Sequence, residues 1–119
     1  MITPKQYILK ELNAFVKAFS NVCVRYEYNE RADIHFVEVT PSGIFHDSEA
    51  YIAWESEMWD KFVAEYPRES ICFTSDDEQD GIENAEFTLR GIGYARNESK
   101  AQRPAPVRRK AKAQAIEYA

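Results

Sequence analysis

Glu55 and His35 are the residues of this 119-residue chain whose types could support acid–base chemistry. The apolar positions of the second predicted helix cover about half of the helical wheel, and Glu55 falls near the middle of that arc. A carboxylate on a buried face costs free energy unless it is hydrogen-bonded or paired, and desolvation is one way in which enzymes prepare a general acid or base. Glu55 and His35 are therefore the candidate catalytic pair of a small hydrolase or isomerase. The alternative, which we favour, is a structural Glu55 that bonds a tyrosine hydroxyl, His35 or Arg25, or that reaches water.

An acidic stretch at residues 75–81 has part of the spacing of a calcium-binding loop. Asp76, Glu78, Asp80 and Gly81 stand where the first, third, fifth and sixth residues of an EF-hand loop would stand. The twelfth position is Phe87 instead of the bidentate glutamate, and predicted strands, not helices, flank the stretch. We predict a solvated acidic turn and no metal site.

Other motifs of cofactor or nucleophile chemistry are missing from the sequence. The chain has four glycines, and none has the spacing of a phosphate-binding loop. No serine lies in a GxSxG setting, and His35 and His46 lack a third ligand at metal-binding spacing. We therefore predict no cofactor and lean towards a protein that is not an enzyme.

The first element that positions these residues is a helix with a clear start. Thr3 and Gln6 fit a capping box, and Pro4 occupies the first helical position. Apolar residues then recur at spacings of three and four up to Phe19, which predicts one buried stripe. Ser20 and Asn21 end the helix.

A β-hairpin follows, with predicted strands at residues 22–28 and 34–39. A turn at residues 29–32 places Val24 opposite Val37, with His35 facing Tyr26. This register predicts that the core face carries the valines. The opposite face would carry a protein interface of two apolar side chains with a charged rim, which comprises Arg25, Ile34, Phe36 and Glu38.

The second half of the predicted domain contains one helix and two strands. Asp47 or Ser48 caps a helix that runs to about Tyr66. A turn at residues 41–43 precedes it, a short strand covers residues 70–74, and a last strand covers residues 86–94. The order α-β-β-α-β-β predicts an α+β two-layer sandwich with an antiparallel sheet of about four strands and both helices on one face.

Composition divides the chain into a single α+β domain at residues 1–96 and a basic tail at residues 97–119. The domain carries 9 Lys and Arg against 18 Asp and Glu, whereas the tail carries 6 against 2. The tail has almost no large apolar side chains, so we predict that it is disordered or partly helical. A solvated tail is one interpretation, and nucleic-acid contact is the other, for which the candidate cations are Arg103, Arg108, Arg109 and Lys110.

The sequence favours the cytoplasm as the compartment. No apolar run is long enough to span a membrane, and the residues after Met1 do not form a secretory signal. Cys23 and Cys72 lie in separate strand-like contexts without a CxxC pair, which is typical of reduced cysteines.

Three segments carry a resemblance to known proteins: VRYEY at residues 24–28, HFVEV at 35–39 and YIAWE at 51–55. They resemble those of small uncharacterised bacterial proteins of the Bacteroides type, for which no activity is implied. The order of elements is also similar to that of small acidic secretion chaperones, which bind partner proteins as dimers. This chain lacks one of their strands and their closing helix, so that similarity concerns the fold alone.

The function that we predict is a non-enzymatic protein-interaction module, such as an adaptor, a chaperone-like protein or an immunity-type protein. Its partner would be another protein, or a second copy of this chain in a homodimer. Two alternatives stay open. One is the hydrolase or isomerase that uses Glu55 and His35, and the other is a nucleic-acid-associated protein that acts through its basic tail.

Overall fold

The structure is a computed structural model that describes residues 2–77 and 82–101. Over these residues the chain forms four helices and one four-stranded sheet, with helices and strands interleaved. The predicted α+β class is confirmed. The elements are α1 (Pro4–Ala18), β1 (Cys23–Asn29), β2 (Ile34–Thr40), α2 (Ser42–Asp47), α3 (Glu49–Glu65), β3 (Ile71–Thr74), β4 (Phe87–Arg90) and α4 (Ile92–Ala101).

The sheet has the strand order β3-β2-β1-β4 and is mixed. β1 pairs with β2 and with β4 in antiparallel fashion, whereas β2 and β3 run parallel. The prediction of a purely antiparallel sheet was wrong. The connection from β2 to β3 contains α2 and α3, and a crossover that contains a helix returns the chain in its original direction.

The hairpin register differs from the predicted one by two residues. Val24 lies opposite Val39, and Tyr28 lies opposite His35. The loop occupies residues 30–33, one position later than predicted. The Asn29 side chain accepts a hydrogen bond from the Ala32 amide, and Asp33 takes a φ of 58°. Because side chains alternate with a period of two, this shift leaves every residue on its predicted face.

The core lies between one face of the sheet and the two long helices. The capping box of α1 is confirmed, because Thr3 Oγ1 accepts from the Gln6 amide at 3.1 Å and Gln6 Oε1 accepts from the Thr3 amide at 3.0 Å. Ser48 caps α3 through the amide of Tyr51. Each fully buried large apolar side chain contributes about 1.5–3 kcal/mol of transfer free energy. The fully buried large apolar side chains of the two helices are Ile8, Leu12, Phe15, Tyr51, Met58 and Phe62.

Two segments differ from their predicted structures. The predicted turn at residues 41–43 begins the short helix α2, whose Ile44 and Phe45 pack against the core. The predicted last strand ends at Arg90, and α4 begins two residues later. Gly91 allows the change of direction, since a Cβ there would lie 2.3 Å from the carbonyl oxygen of Ser20. α4 continues across the predicted domain boundary at residue 96.

Candidate functional site

His35 is held between two hydrogen-bonding partners on the core side of β2. Its side chain is 6% exposed. The Tyr26 hydroxyl lies 2.7 Å from Nδ1, and Glu69 Oε1 lies 2.7 Å from Nε2. A carboxylate only accepts hydrogen bonds, so Nε2 donates to Glu69, and Nδ1 faces the Tyr26 hydroxyl. Both ring nitrogens are therefore engaged.

A cleft of about 440 Å³ opens beside His35. It lies where the N-terminal end of α1 meets the end of the hairpin and the connection that leads into β3. A His35 that acts as a general base on a molecule in this cleft would first have to release one of its two partners. The cleft is lined by Thr3, Pro4, Lys5, Tyr28, His35 and Glu69.

Both tyrosines of this region retain their protons at neutral pH. Desolvation, followed by the charges of Glu86 and Glu69, raises the pKa of the Tyr26 hydroxyl. A hydrogen bond to Asp33 raises the pKa of Tyr28 to about 12. The Tyr26 hydroxyl therefore keeps its hydrogen for the bond to His35.

Glu86 connects α1 to the hairpin at the rim of the cleft. Its Oε1 lies 2.6 Å from the Lys5 ammonium, and its Oε2 accepts from the Tyr28 amide at 2.9 Å. Desolvation acts to raise the pKa of the Glu86 carboxyl. The hydrogen bonds from Lys5 and Tyr28 outweigh it and hold that pKa below its usual range. Sequence reasoning did not single out Lys5, Glu69 or Glu86, because each meets its partner only through the tertiary fold.

Glu55 lies on α3, apart from the cleft beside His35, and is half-buried. Its Oε1 accepts from the Tyr51 hydroxyl at 2.5 Å, four residues earlier on the same helix. Desolvation, and then this bond, raise the pKa of Tyr51. Glu55 does not line the cleft, and the partners of His35 are Tyr26 and Glu69. The structure therefore does not bring the two candidate catalytic residues together.

The outer face of the sheet, which points away from α1 and α3, has an ion pair at its centre. Arg25 Nε donates to Glu38 Oε1 at 2.7 Å, and only 5% of the Glu38 side chain is exposed. Arg25 also donates to the carbonyl oxygen of Ile82 at 3.2 Å, and Ile82 is buried. The hydrogen bond to Glu38 raises the pKa of Arg25. Two of the predicted interface residues, Arg25 and Glu38, thus bond to each other.

The segment 82–86, which precedes β4, lies against this outer face. Glu27 Oε1 accepts from the amides of Glu83 and Asn84, at 3.1 and 3.3 Å. The other two predicted interface residues, Ile34 and Phe36, are half-buried on the same face. The chain's own segment therefore occupies part of the face that the sequence suggested for a partner.

The outward side of α3 carries a line of residues that we call the α3 row: Ile52, Ser56, Trp59 and Val63. Their spacings of four, three and four place them along one side of the helix. Ile52 is 48% exposed and Trp59 is 47% exposed, whereas Tyr51, Met58 and Phe62 on another side of α3 are buried. Sequence reasoning missed this surface because it treated all apolar positions of the second predicted helix, Ile52 and Trp59 among them, as one buried face. The available signal was the width of the apolar arc, which exceeds the ~100° that one buried face needs.

Acidic side chains flank the α3 row on both sides. At 100° per residue, Glu49 and Asp60 lie along one edge of the row and Glu55 along the other. Glu49 and Asp60 are exposed. Lys61 points nearly opposite to the row and pairs with Glu57 at 3.4 Å. The row is therefore an apolar strip with a negative border.

Several sequence predictions concern residues that the structure does not describe. Arg103, Arg108, Arg109 and Lys110 lie outside the described residues, as does the centre of the acidic stretch at 78–81. Within residues 2–77 and 82–101, no group of three His, Cys, Asp or Glu side chains has the geometry to hold a metal ion. None of the helices in the described part of the chain has the length and apolar character needed to cross a membrane.

Comparisons of the chain with protein-family profiles, with curated protein sequences and with solved structures give no match.

Proposed function

We propose that this protein is a protein-interaction module that acts without catalysis and that binds its partner protein through the α3 row. The observation that carries the proposal is the exposure of Ile52 and Trp59, 48% and 47%, on a helix that already packs Tyr51, Met58 and Phe62 into the core. Tryptophan is among the residues most enriched in the energetic centres of protein interfaces. Single exposed apolar residues are common on monomers, but these two lie on one side of one helix.

The polar surroundings of the α3 row also support this role. Glu49 and Asp60 form an exposed acidic edge beside the apolar strip. An apolar centre with a charged rim is the usual composition of an interface, in which the rim contributes specificity and association rate. The partner that fits is a protein segment with an apolar face and cationic flanks.

The outer face of the sheet is the second surface that we propose for contact with a protein, including a second copy of this chain. Ile34 and Phe36 are half-buried there and supply less exposed apolar surface than the α3 row. Arg25 and Glu38 bond to each other, so they would enter such a contact as part of its polar rim.

The two alternatives have weaker support. For a hydrolase or isomerase, His35 does line a cleft, but both of its ring nitrogens are bonded and Glu55 bonds Tyr51 instead. For a nucleic-acid-associated protein, the acidic domain would repel phosphates and only the tail would attract them. We place the module in the cytoplasm because its two cysteines, Cys23 and Cys72, lie in separate contexts without a CxxC pair.

Capture of partner proteins on the tagged full-length chain tests the proposal. The wild type is compared with the double variant Ile52→Gln, Trp59→Gln and with a control variant, Ile34→Thr, Phe36→Thr, on the outer face of the sheet. We expect the α3 variant to lose the partner and the control to retain it. Truncation of a central interface anchor typically costs about 2 kcal/mol, or about thirtyfold in Kd.

Circular dichroism and thermal unfolding establish that each variant is folded before its capture is compared. If the α3 variant retains the partner and the control loses it, the interface is the outer face of the sheet. Equal capture by all three proteins would contradict both surfaces.

A further inference from the structure

We propose that residues 102–119 of this chain bind the α3 row within the same molecule, so that a partner protein must displace them. This inference rests on the proposed function, because it assigns regulation to the same docking surface. Two observations motivate it: an apolar strip with an acidic border is about half exposed at Ile52 and Trp59, and the chain continues for eighteen residues beyond the described ones.

The charges of the two surfaces are complementary. Residues 102–119 contain five Lys and Arg and one Glu. The α3 row is bordered by Glu49 and Asp60 on one side and by Glu55 on the other. Opposite charge on the two partners steers association and fixes the orientation of a contact. The excess of positive charge beyond Ala101 therefore matches the border that α3 presents.

The apolar residues of the segment match the strip itself. Its five cations, between Arg103 and Lys112, are accompanied by Val107, Ile116 and Tyr118. Val107 lies directly before the cluster of three cations at 108–110 and could contact the strip while they pair with the acids. Such a segment buries little apolar surface by itself, but it can bury these side chains against Ile52 and Trp59.

The segment starts close enough to reach α3. The first turn of α4 is tied to the end of α1, because the Tyr94 amide donates to the Ser20 carbonyl oxygen at 2.9 Å. Five residues before Ser20, on α1, the ring of Phe15 lies 4.2 Å, centroid to centroid, from the ring of Trp54 in the first half of α3. Eighteen extended residues span about 60 Å, whereas the seventeen residues of α3 cover about 25 Å.

An occupant from the same chain is favoured over a second copy of the α3 row. Two copies of the row would bring Glu49 and Asp60 of one molecule against the acids of the other, and like charges in contact oppose association. A tethered segment, in contrast, is present at an effective concentration in the millimolar range. Even a weak contact is therefore occupied within one molecule.

Acrylamide quenching of Trp59 fluorescence tests the contact in the full-length protein. The substitution Trp54→Phe leaves Trp59 as the reporter, and the triple substitution Arg108→Glu, Arg109→Glu, Lys110→Glu removes the attraction. With the segment bound at millimolar effective concentration, we expect the quenching constant to rise about twofold on charge reversal. Salt at about 0.5 M, which shortens the Debye length to about 4 Å, should produce a similar rise.

Two substitutions on α3 serve as matched controls. Asp60→Lys reverses a charge at the edge of the row and should release the segment. Glu57→Lys reverses another exposed charge, on the side of the helix away from the row, and should leave the quenching constant unchanged. Release by Glu57→Lys as well would show a general effect of net charge and would overturn the proposal.

Other outcomes identify other occupants. An identical quenching constant before and after reversal of the tail charges would show that the segment does not cover Trp59. Protection of Trp59 that depends on protein concentration would assign the row to a second copy of the chain, which also overturns the inference.

If the partner is captured through Trp59 while the quenching is unaffected by the tail, the proposed function stands and the intramolecular contact fails. If the tail protects Trp59 but capture does not depend on it, the proposed function fails instead.

Discussion

The outer face of the sheet and the outer side of α3 differ in how far other segments of the described chain pack against them. On the sheet, Arg25 and Glu38 form a short ion pair, and the segment 82–86 lies against them and accepts and donates further hydrogen bonds. On α3, Ile52 and Trp59 each keep about half of their surface exposed among the described residues. One surface is polar and closed by the chain itself, and the other is apolar and open.

Because of this difference, the outer face of the sheet should contribute mainly to stability and the α3 row mainly to binding. A buried carboxylate such as that of Glu38 requires its partner, because an uncompensated charge in the interior is costly. An exposed apolar side chain requires no partner for folding and gains free energy only when another surface covers it. We therefore expect substitutions on the sheet face to alter the free energy of unfolding and substitutions in the α3 row to alter binding.

The largest effect is expected for Arg25→Ala. The substitution leaves the Glu38 carboxylate buried without its cation, and we expect the free energy of unfolding to fall by about 3 kcal/mol, as measured by urea denaturation. The double substitution Arg25→Met, Glu38→Leu removes both charges and should recover most of this loss. A single variant that is as stable as the wild type would mean that water reaches Glu38 and that the sheet face is open as well.

A smaller effect is expected for Glu27→Ala, which removes the acceptor of the Glu83 and Asn84 amides. These amides are near the surface and can bond water, so we expect a loss of about 1 kcal/mol in the free energy of unfolding. Hydrogen exchange at the amides of Glu83 and Asn84 should accelerate in the same variant. Unchanged exchange rates would show that Glu27 does not hold the segment on the sheet.

Acid should weaken the attachment of the same segment at Glu86. Because the folded-state pKa of Glu86 is lowered, its contribution to stability is present above the ordinary carboxyl pKa of 4.5 and is lost as the pH falls through the folded value. Glu86→Gln should flatten the decline of stability between about pH 5 and pH 3 and cost about 0.5–1 kcal/mol at neutral pH. If wild type and variant show parallel pH profiles, the bonds of Glu86 to Lys5 and Tyr28 do not form in solution.

The smallest effect is expected for Ile52→Gln in the α3 row. Half of the side chain is already exposed, and glutamine has good helix propensity, so the free energy of unfolding should change by less than about 0.5 kcal/mol. Met58→Gln on the buried side of the same helix is the matched control and should cost several times more, since Met58 is 2% exposed. A large loss for Ile52→Gln would place the row in the packed part of the molecule.

The sequence predicts the local elements well because apolar spacing and capping residues act over a few positions. Thr3 and Gln6 begin α1, Ser48 begins α3, and alternation in the hairpin strands assigns each side chain to its face. The parallel pairing of β2 with β3 could not be predicted in this way. A four-residue strand carries no pattern that distinguishes a parallel neighbour from an antiparallel one, and the choice depends on how α2 and α3 cross the sheet.

Less of the candidate sites could be predicted than of the fold. The bonds from His35 to Glu69 and from Lys5 to Glu86 join residues 34 and 81 positions apart, and neither pair has a local signature. Trp59 and Met58 are adjacent residues that both belong to the apolar set of the helix, yet one is about half exposed and the other is buried. A helical wheel shows that both belong to an apolar arc but does not show where the sheet ends beneath it.

The strand order has a consequence for the sequence of folding events. The central pair β1 and β2 closes a loop of four residues, but β3 reaches β2 only across α2 and α3, and β4 pairs with β1 across about sixty residues of chain. Loop closure costs more entropy for distant contacts, so we expect the hairpin to form early and both edge strands to be added late.

Substitutions of Ile71 and Leu89 should then accelerate unfolding without slowing refolding, whereas substitutions of Val24 and Val39 should change the refolding rate. Until its edges are added, the hairpin exposes hydrogen-bonding groups on both sides, and in that interval the chain is most exposed to aggregation.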